Sequence, residues 1–160
     1  MIITDIPTDP VSSKSHSGGT RRRKKRSRSR PASVGARTQP TRVLIVDDHG
    51  FYANGLTSLI NNESDIAVCG ICSRLATVAS SVEQTDPDLV ILDVNVAGES
   101  SVDLANALQL KRPGLKFMFI SSFPGGIVHY HAKDLKPNSV VEKTQDPVSI
   151  LRAIRRAIRD

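Results

Sequence analysis

Short apolar runs alternate with amphipathic segments along residues 41–160, and this alternation predicts strands and helices in turn. The runs are almost continuous in Val, Leu and Ile, which is typical of strands buried on both faces of a parallel sheet. They predict five strands, at about 42–46, 66–70, 89–93, 115–121 and 139–141. Right-handed crossovers wind such βα units into one sheet with helices on both faces. We therefore predict an α/β fold with a doubly wound, five-stranded parallel sheet.

Five helices are predicted from apolar residues that repeat at helical spacing. The first follows strand one to about residue 62, the next three cover about 73–84, 100–111 and 127–135, and the last begins at residue 147. Asp86-Pro87 is expected to end the second helix, since proline cannot continue it. The last helix has the clearest beginning, because Asp146 is a good N-cap and Pro147 suits the first helical position.

Residues 1–40 differ from the rest of the chain in composition. They are rich in Ser, Thr, Pro and Gly and contain the run RRRKKRSRSR from Arg21 to Arg30. This segment holds 10 Lys and Arg against 2 Asp, a net charge of +8, whereas residues 41–160 carry −2, which together give the +6 of the chain. So polar a segment cannot bury enough apolar surface to offset its ordering entropy. We predict a disordered basic tail over 1–40 and a single folded domain over 41–160.

The composition also excludes several classes of protein. No apolar run approaches the roughly 18 residues of a membrane helix, and the first residues, MIITD, do not resemble a signal peptide. We therefore expect a cytoplasmic protein with no membrane contact. Two cysteines are too few for a disulfide scaffold.

Polar side chains stand where the predicted strands end. They are Asp47 and Asp48 after strand one, Asp93 on strand three, Ser121 on strand four and Lys143 after strand five. We expect these side chains to lie close together, because the carboxyl ends of parallel strands share one edge of the sheet. Ligands of such sheets bind at that edge. Clustered carboxylates repel one another unless a cation lies among them, and oxygen ligands suit Mg²⁺. With a metal bound, one carboxylate becomes a nucleophile toward phosphorus, while the hydroxyl and the ammonium contact phosphoryl oxygens.

With these residues in register, the chain resembles the response-regulator receiver domains of two-component signalling, from about Thr41 to Asp160. The segments VLIVDDHGFYANGLTSLI and PDLVILDVNVAGESSVDL are similar to receivers of the subfamily that usually carries a helix-turn-helix output domain. The resemblance implies the flavodoxin-like (βα)5 receiver fold and Mg²⁺ as cofactor. It also implies a histidine kinase or a phosphotransfer protein as the phosphoryl donor.

The resemblance assigns a role to each of the polar residues at the carboxyl ends of the predicted strands. Asp93 corresponds to the phosphoacceptor, with Ser121 and Lys143 as its catalytic partners. The implied metal ligands are Asp47, Asp48, Asp93 and the backbone carbonyl of Asn95.

Other positions depart from the family pattern and predict an altered output face. Val96-Ala97 replaces the usual Met-Pro, and Ser101 replaces the glycine before helix three. Val140 stands where the family often has its switch aromatic, and Thr144 where proline is common. Further departures are Gly125-Gly126 and Leu135-Lys136-Pro137.

These features predict a receiver in which phosphorylation of Asp93 switches a protein–protein interaction. Such a protein is no enzyme beyond catalysing its own phosphorylation and dephosphorylation. The alternative is a receiver-like docking module that is not phosphorylated and whose basic tail binds nucleic acid. The run Arg21 to Arg30 has no aromatic residue for base stacking, so it predicts only weak, salt-sensitive contact with phosphates.

Cysteine and histidine residues elsewhere are interpreted structurally. Cys69 and Cys72 form a C-x-x-C across the predicted end of strand two, and we interpret them as two small buried residues, with redox activity as the alternative. His129 and His131 do not share a helical face and receive no metal role. His49 follows the acidic pair and is interpreted as a helix-start residue.

Overall fold

The computed structural model describes residues 39–122 and 139–160, all of which belong to the unit Ala36–Asp160. In these ranges the strands, in chain order, are β1 (Thr41–Val46), β2 (Ile66–Cys72), β3 (Leu89–Asp93), β4 (Asn95–Val96), β5 (Glu99–Ser100), β6 (Lys116–Ser121) and β7 (Ser139–Glu142). The helices are α1 (Gly50–Asn61), α2 (Leu75–Thr85), α3 (Val102–Lys111) and α4 (Pro147–Arg159).

Five of these strands form one parallel sheet in the order β2-β1-β3-β6-β7. The doubly wound parallel sheet predicted from the sequence is therefore confirmed. Strand β3 lies at its centre and pairs with β1 on one side and with β6 on the other. All five residues of β3 are buried, which accounts for its continuous apolar run.

Successive side chains of the central strands enter two cores, because strand side chains alternate between the two faces of a sheet. One core lies against α2 and α3 and includes Val78, Val82, Val90, Leu92, Ala105, Leu108, Phe117 and Phe119. The other lies against α1 and α4 and includes Ala53, Leu56, Ile60, Leu89, Ile91, Ile150, Ile154 and Ala157. Each fully buried Leu, Ile or Phe contributes about 1.5–3 kcal/mol to folding.

Strand β2 is longer than predicted and continues to Cys72 instead of ending at Gly70. The β1–β2 register shifts so that Val68 and Gly70 pair with consecutive residues of β1, which leaves Cys69 unpaired in a bulge. A Cβ on Gly70 would lie only 3.1 Å from Leu44 Cδ1, so glycine suits this bulge.

Because β2 extends to Cys72, both Cys69 and Cys72 lie inside this strand. Both are free thiols, with Cys72 buried and Cys69 half-buried.

Strands β4 and β5 form a two-stranded hairpin that the hydrophobic pattern did not predict. Its loop residues Ala97 and Gly98 have φ angles of +53° and +87°, as a two-residue type I′ turn requires. Proline cannot adopt a positive φ, so Ala97 permits a turn that the family's usual proline would prevent. The hairpin also delays α3, which begins at Val102 instead of near Ser100.

The helix ends follow the predicted signals in two places. Helix α2 stops at Thr85, and Asp86 adopts a left-handed conformation before Pro87. In α4, the Asp146 carboxylate accepts a hydrogen bond from the Ser149 amide at 3.0 Å, which confirms Asp146 as the N-cap. Hydrogen bonds from the Ser149 hydroxyl and amide lower the pKa of Asp146. Pro147 occupies the first turn of α4, as predicted.

Several predictions lie outside the described residues. They concern most of the basic tail, the helix at 127–135, the histidines at 129 and 131, and the departures at 125–126 and 135–137. Within the described ranges, no helix is long and apolar enough to cross a membrane.

Candidate functional site

Two carboxylates are buried at the carboxyl ends of β1 and β3. Asp47 directly follows β1, and its amide donates a hydrogen bond to the Cys72 carbonyl at 2.9 Å, which continues the β1–β2 pairing by one residue. Asp93 is the last residue of β3. Asp47 is only 1% exposed and Asp93 only 5%. The backbone of the sheet thus holds both carboxylates in a largely dry position.

Lys143 joins these two carboxylates. Its amide donates to the Ser121 carbonyl at 2.9 Å, which places the lysine just beyond β7. Its Nζ atom lies 2.6 Å from Asp93 Oδ2 and 2.7 Å from Asp47 Oδ2. The same ammonium lies 4.9 Å from the centre of the Tyr52 ring, within the range of a cation–π contact.

His49 is a site residue that sequence reasoning left without a chemical role. Its Nδ1 atom lies 3.2 Å from a carboxylate oxygen of Asp47 and 3.2 Å from one of Asp48. Asp93 Oδ2 is 3.9 Å away. Together these four residues offer ligand atoms that lie within 4.8 Å of one another. The only signal in the sequence was the position of His49 next to the acidic pair.

The segment after Asp93 is tied back to it by hydrogen bonds. The Asn95 amide donates to Asp93 Oδ1 at 3.2 Å, and the Asn95 side chain accepts from the Gly98 amide at 2.9 Å. The hydroxyl of Ser101, which is fully buried, donates to the Asp93 carbonyl at 2.5 Å. The Ser101 amide donates to the Val94 carbonyl at 3.0 Å. Both ends of the β4–β5 hairpin are thus anchored next to Asp93.

Ser121 lies at the same edge of the sheet. It is the last residue of β6, one residue beyond Ile120, the register partner of Asp93. Its exposed fraction is 8%. The structure therefore joins Asp47, Asp93 and Lys143 by direct contact, links Asp48 to them through His49, and places Ser121 at the adjoining strand end.

Among the described residues of this pocket, carboxylates outnumber ammonium groups. Asp47 and Asp93 contact the ammonium of Lys143, and Asp48 lies beside them through its contact with His49. Burial raises the pKa of Asp93, and nearby Asp47 acts in the same direction, against the opposing hydrogen bonds from Lys143 and Asn95. Among the described groups, the hydrogen bonds to Asp93 therefore offset only part of the effect of its burial.

The neighbours of Asp93 respond to the same charges. Burial by itself would lower the pKa of Lys143, but its hydrogen bonds to Asp47 and Asp93 outweigh that effect and raise it. Lys143 therefore stays charged. Burial, with the charges of Asp47 and Asp93, raises the pKa of Tyr52 to about 12, so its phenol stays neutral.

These donors fit a divalent cation. Carboxylates are the ligands that hard cations prefer, and the described residues offer three of them within 4.8 Å of one another. The acidic cluster of Asp47, Asp48 and Asp93 can therefore bind a metal.

Residues 43–155 match the protein family described as the response regulator receiver domain. The match covers well over half of the chain, so the chain belongs to this family. It carries the receiver domain of two-component response regulators, a signalling module whose members work with histidine kinases. The resemblance stated from the sequence is thereby confirmed.

Among curated proteins, the chain is similar to the response regulator protein VraR of Staphylococcus aureus. The two are 27% identical over 118 residues, which cover 74% of this chain and 56% of VraR. The chain therefore spans about half the length of this relative.

Solved structures confirm the receiver fold. The signal receiver domain of the response regulator NarL from Mycobacterium tuberculosis matches with a TM-score of 0.69 and 19% identity, over 76% of this chain and 98% of that one. A DNA-binding response regulator of the LuxR family from Staphylococcus aureus matches with a TM-score of 0.67 and 17% identity, over 74% and 98% of the two chains.

Proposed function

We propose that this chain is the phosphoacceptor receiver of a two-component phosphorelay and that Asp93 accepts the phosphoryl group. The main support is the position of Asp93 on the central strand, with its Oδ2 atom 2.6 Å from the ammonium of Lys143. Because Asp93 already contacts the Lys143 ammonium, that ammonium will lie beside the phosphoryl oxygens once Asp93 is phosphorylated. Asp47 and Asp48 lie across the pocket without such a central position.

Mg²⁺ is the cofactor in this proposal. Asp47, Asp48 and Asp93 would hold it through carboxylate oxygens, and Asn95 through its backbone carbonyl. When bound, the ion supplies positive charge that offsets the carboxylates and polarises a phosphoryl oxygen. The three carboxylates and one ammonium among the described residues of the pocket support a divalent ion over a monovalent one.

The transfer step uses the residues of the pocket. A carboxylate oxygen of Asp93 attacks the phosphorus of a phosphohistidine on the donor protein, so that an O–P bond forms and the P–N bond breaks. The donor imidazole keeps the electron pair of that bond and takes a proton from solvent. Lys143 and the hydroxyl of Ser121 stabilise the charge that develops on the phosphoryl oxygens. Hydrolysis of the acyl phosphate by water restores Asp93. In this proposal the chain catalyses only its own phosphorylation and dephosphorylation.

The surroundings of the pocket support a protein as the donor. A largely apolar groove of about 230 Å³ between α1 and α4 borders Lys143, and Phe51 at its margin is 97% exposed. Large exposed aromatic side chains are typical anchors of protein interfaces. We propose that a histidine kinase or a phosphotransfer protein in the cytoplasm is the donor, that phosphorylation switches a protein–protein contact, and that residues 1–40 are a tail separate from the receiver.

Acetyl phosphate tests this function without the donor protein. The intact mass of the chain should rise by one phosphoryl group in the presence of Mg²⁺, and a chelator should prevent the change. Asp93→Asn should gain no mass, whereas Asp88→Asn, just before the opposite end of the same strand, should gain it normally. If Asp93→Asn gains as much mass as the wild type, the assignment of Asp93 is wrong.

A further inference from the structure

Three arginines form a row on the outer face of α4. Arg152, Arg156 and Arg159 are all exposed. At 100° and 1.5 Å per helical residue, they fall within an arc of about 60°, with spacings of about 6 Å and 4.5 Å along the helix axis. We call these three residues the arginine stripe. Three like charges are thus held close together on one rigid element.

The described part of the fold forms no ion pair with the stripe. Among the described residues, Arg42, Arg112 and Arg155 all have side-chain hydrogen bonds or ion pairs. No acceptor within the described ranges contacts the guanidinium groups of the stripe, and α4 contains no acidic residue. Arg74 is also exposed and has no side-chain partner within the described ranges, but it is a single arginine, whereas the stripe groups three such arginines and is therefore suited to an anionic ligand.

We propose that the arginine stripe binds the phosphate backbone of a nucleic acid. A guanidinium presents a planar fork of donors that matches the oxygens of a phosphate. The exposed face of α4 has Val148 as its only large exposed apolar side chain, 63% exposed, at the beginning of the helix. At protein interfaces, arginine anchors usually act together with buried aromatic anchors such as Trp and Tyr. A surface of guanidinium groups with no aromatic side chain among them favours a polyanion over an acidic protein.

The basic run Arg21 to Arg30 supports the same ligand. It contains eight Lys and Arg in ten residues, with no acidic and no aromatic residue. Two separate segments of the chain therefore have the chemistry of sequence-independent phosphate binding.

The stripe is also removed from the acidic pocket. Helix α4 begins at Pro147, near Lys143, and runs toward the opposite edge of the sheet. Its last turn lies there, because the Ile158 carbonyl accepts a hydrogen bond from Lys116 at the beginning of β6. A nucleic acid on the second half of α4 would therefore avoid the carboxylates around Asp93.

The test measures binding of the full chain to a labelled duplex DNA by fluorescence anisotropy over a range of salt concentrations. The double variant Arg152→Gln/Arg156→Gln is compared with Arg74→Gln/Lys111→Gln, which removes the same charge from exposed positions on other elements. Both double variants are also made in a second version of the full chain, in which every Lys and Arg of residues 21–30 is replaced by Gln. This background separates the stripe from the tail.

The stripe variant should bind more weakly, and its slope of log affinity against log salt should be shallower by about 1.8, since each lost phosphate contact contributes about 0.9. The control variant should keep the slope of its parent. Equal slopes for the two variants would overturn the proposal. So would tighter binding to poly-L-glutamate or to anionic lipid vesicles than to DNA, because an acidic protein or a membrane would then be the favoured ligand.

Discussion

The two ends of the central sheet use charge in different ways. At the amino ends of the strands, acidic and basic side chains are paired: Arg155 binds Asp65 and Glu63, and Arg112 binds Asp86. At the carboxyl ends, the described residues place three carboxylates near one another and one ammonium, that of Lys143, in contact with two of them. Among the described residues, the charged side chains are paired at one end, whereas carboxylates are in excess at the other.

This difference separates a stabilising edge from a functional one. Paired surface charges add modestly to stability and leave nothing for a ligand to neutralise. An unbalanced, buried cluster costs stability and persists where a ligand completes it. The pKa of Asp93 is raised by burial, whereas the pKa of Asp65 is lowered chiefly by its hydrogen bond to Arg155. The carboxyl pKa is thus raised at the end with excess carboxylates and lowered at the end where the charges are paired.

The largest effect is expected from Lys143→Ala. The rate of labelling by acetyl phosphate should fall by about 10²–10³-fold, the usual effect of removing a donor that stabilises a charged transition state. The affinity for Mg²⁺ should be unchanged or higher, because a positive charge next to the metal is removed. Calorimetric titration and labelling kinetics measure the two effects. Lys111→Ala, an exposed lysine at the end of α3, is the control, and a Lys143→Ala protein that lost Mg²⁺ binding would reverse the assigned roles.

Asp48→Ala should instead weaken Mg²⁺ binding first, by about 100-fold or more, since opposite charges a few ångströms apart interact by several kcal/mol near a protein surface. The thermal stabilisation that Mg²⁺ gives the wild type should then disappear at the same metal concentration. Thermal unfolding with and without Mg²⁺ measures this. Asp88→Ala, at the amino ends of the strands, should keep the metal-dependent shift, and loss of that shift in both variants would contradict a site confined to the carboxyl ends.

Ser101→Ala should lower the free energy of unfolding by about 1–3 kcal/mol, because the buried Asp93 carbonyl loses its donor. It should also weaken Mg²⁺ binding, since the β4–β5 hairpin that contains Asn95 loses an anchor. Ser101→Thr, which keeps a hydroxyl, should recover part of both. Urea unfolding and metal titration test this, with exposed Ser100→Ala as the control. An unchanged Mg²⁺ affinity would restrict Ser101 to a role in stability.

The smallest effect belongs to the end where the charges are paired. Arg155→Ala should cost about 0.2–1 kcal/mol at neutral pH, as exposed ion pairs usually do. The folded pKa of Asp65 is lowered, so this stabilisation is present above the unfolded pKa of Asp65 and is lost as the pH falls through the folded value. Urea unfolding at several pH values should show the two proteins converging in acid. Arg152→Ala, an unpaired arginine of the same helix, should cost less, and equal losses would show that the ion pairs add nothing.

Sequence patterns were most informative where burial is complete. Strand β3 has the predicted bounds and β1 begins one residue earlier, because strands covered on both faces must be apolar throughout. The positions of Asp47 and Asp93 followed directly, since strand ends determine which side chains reach the edge of the sheet. The contacts of Lys143 with both carboxylates then agree with the predicted convergence.

Features that depend on only a few residues escaped prediction. The β4 and β5 strands have two residues each, too few for any periodicity, and their turn depends on a positive φ at Ala97, a residue type that rarely signals one. The contacts of His49 and the ion pairs of Arg155 depend on side-chain placement across distant segments. Such contacts leave no trace in local hydrophobic spacing.

The central claim is that the end of the sheet with excess carboxylates accepts a phosphoryl group on Asp93. The most direct measurement is to label the wild-type chain with acetyl phosphate and Mg²⁺, digest it, and locate the phosphoryl group by peptide mass spectrometry. The account predicts a single acyl phosphate on Asp93, which hydroxylamine should remove. A phosphoryl group on Asp47 or Asp48, or a phosphohistidine at His49, would contradict it.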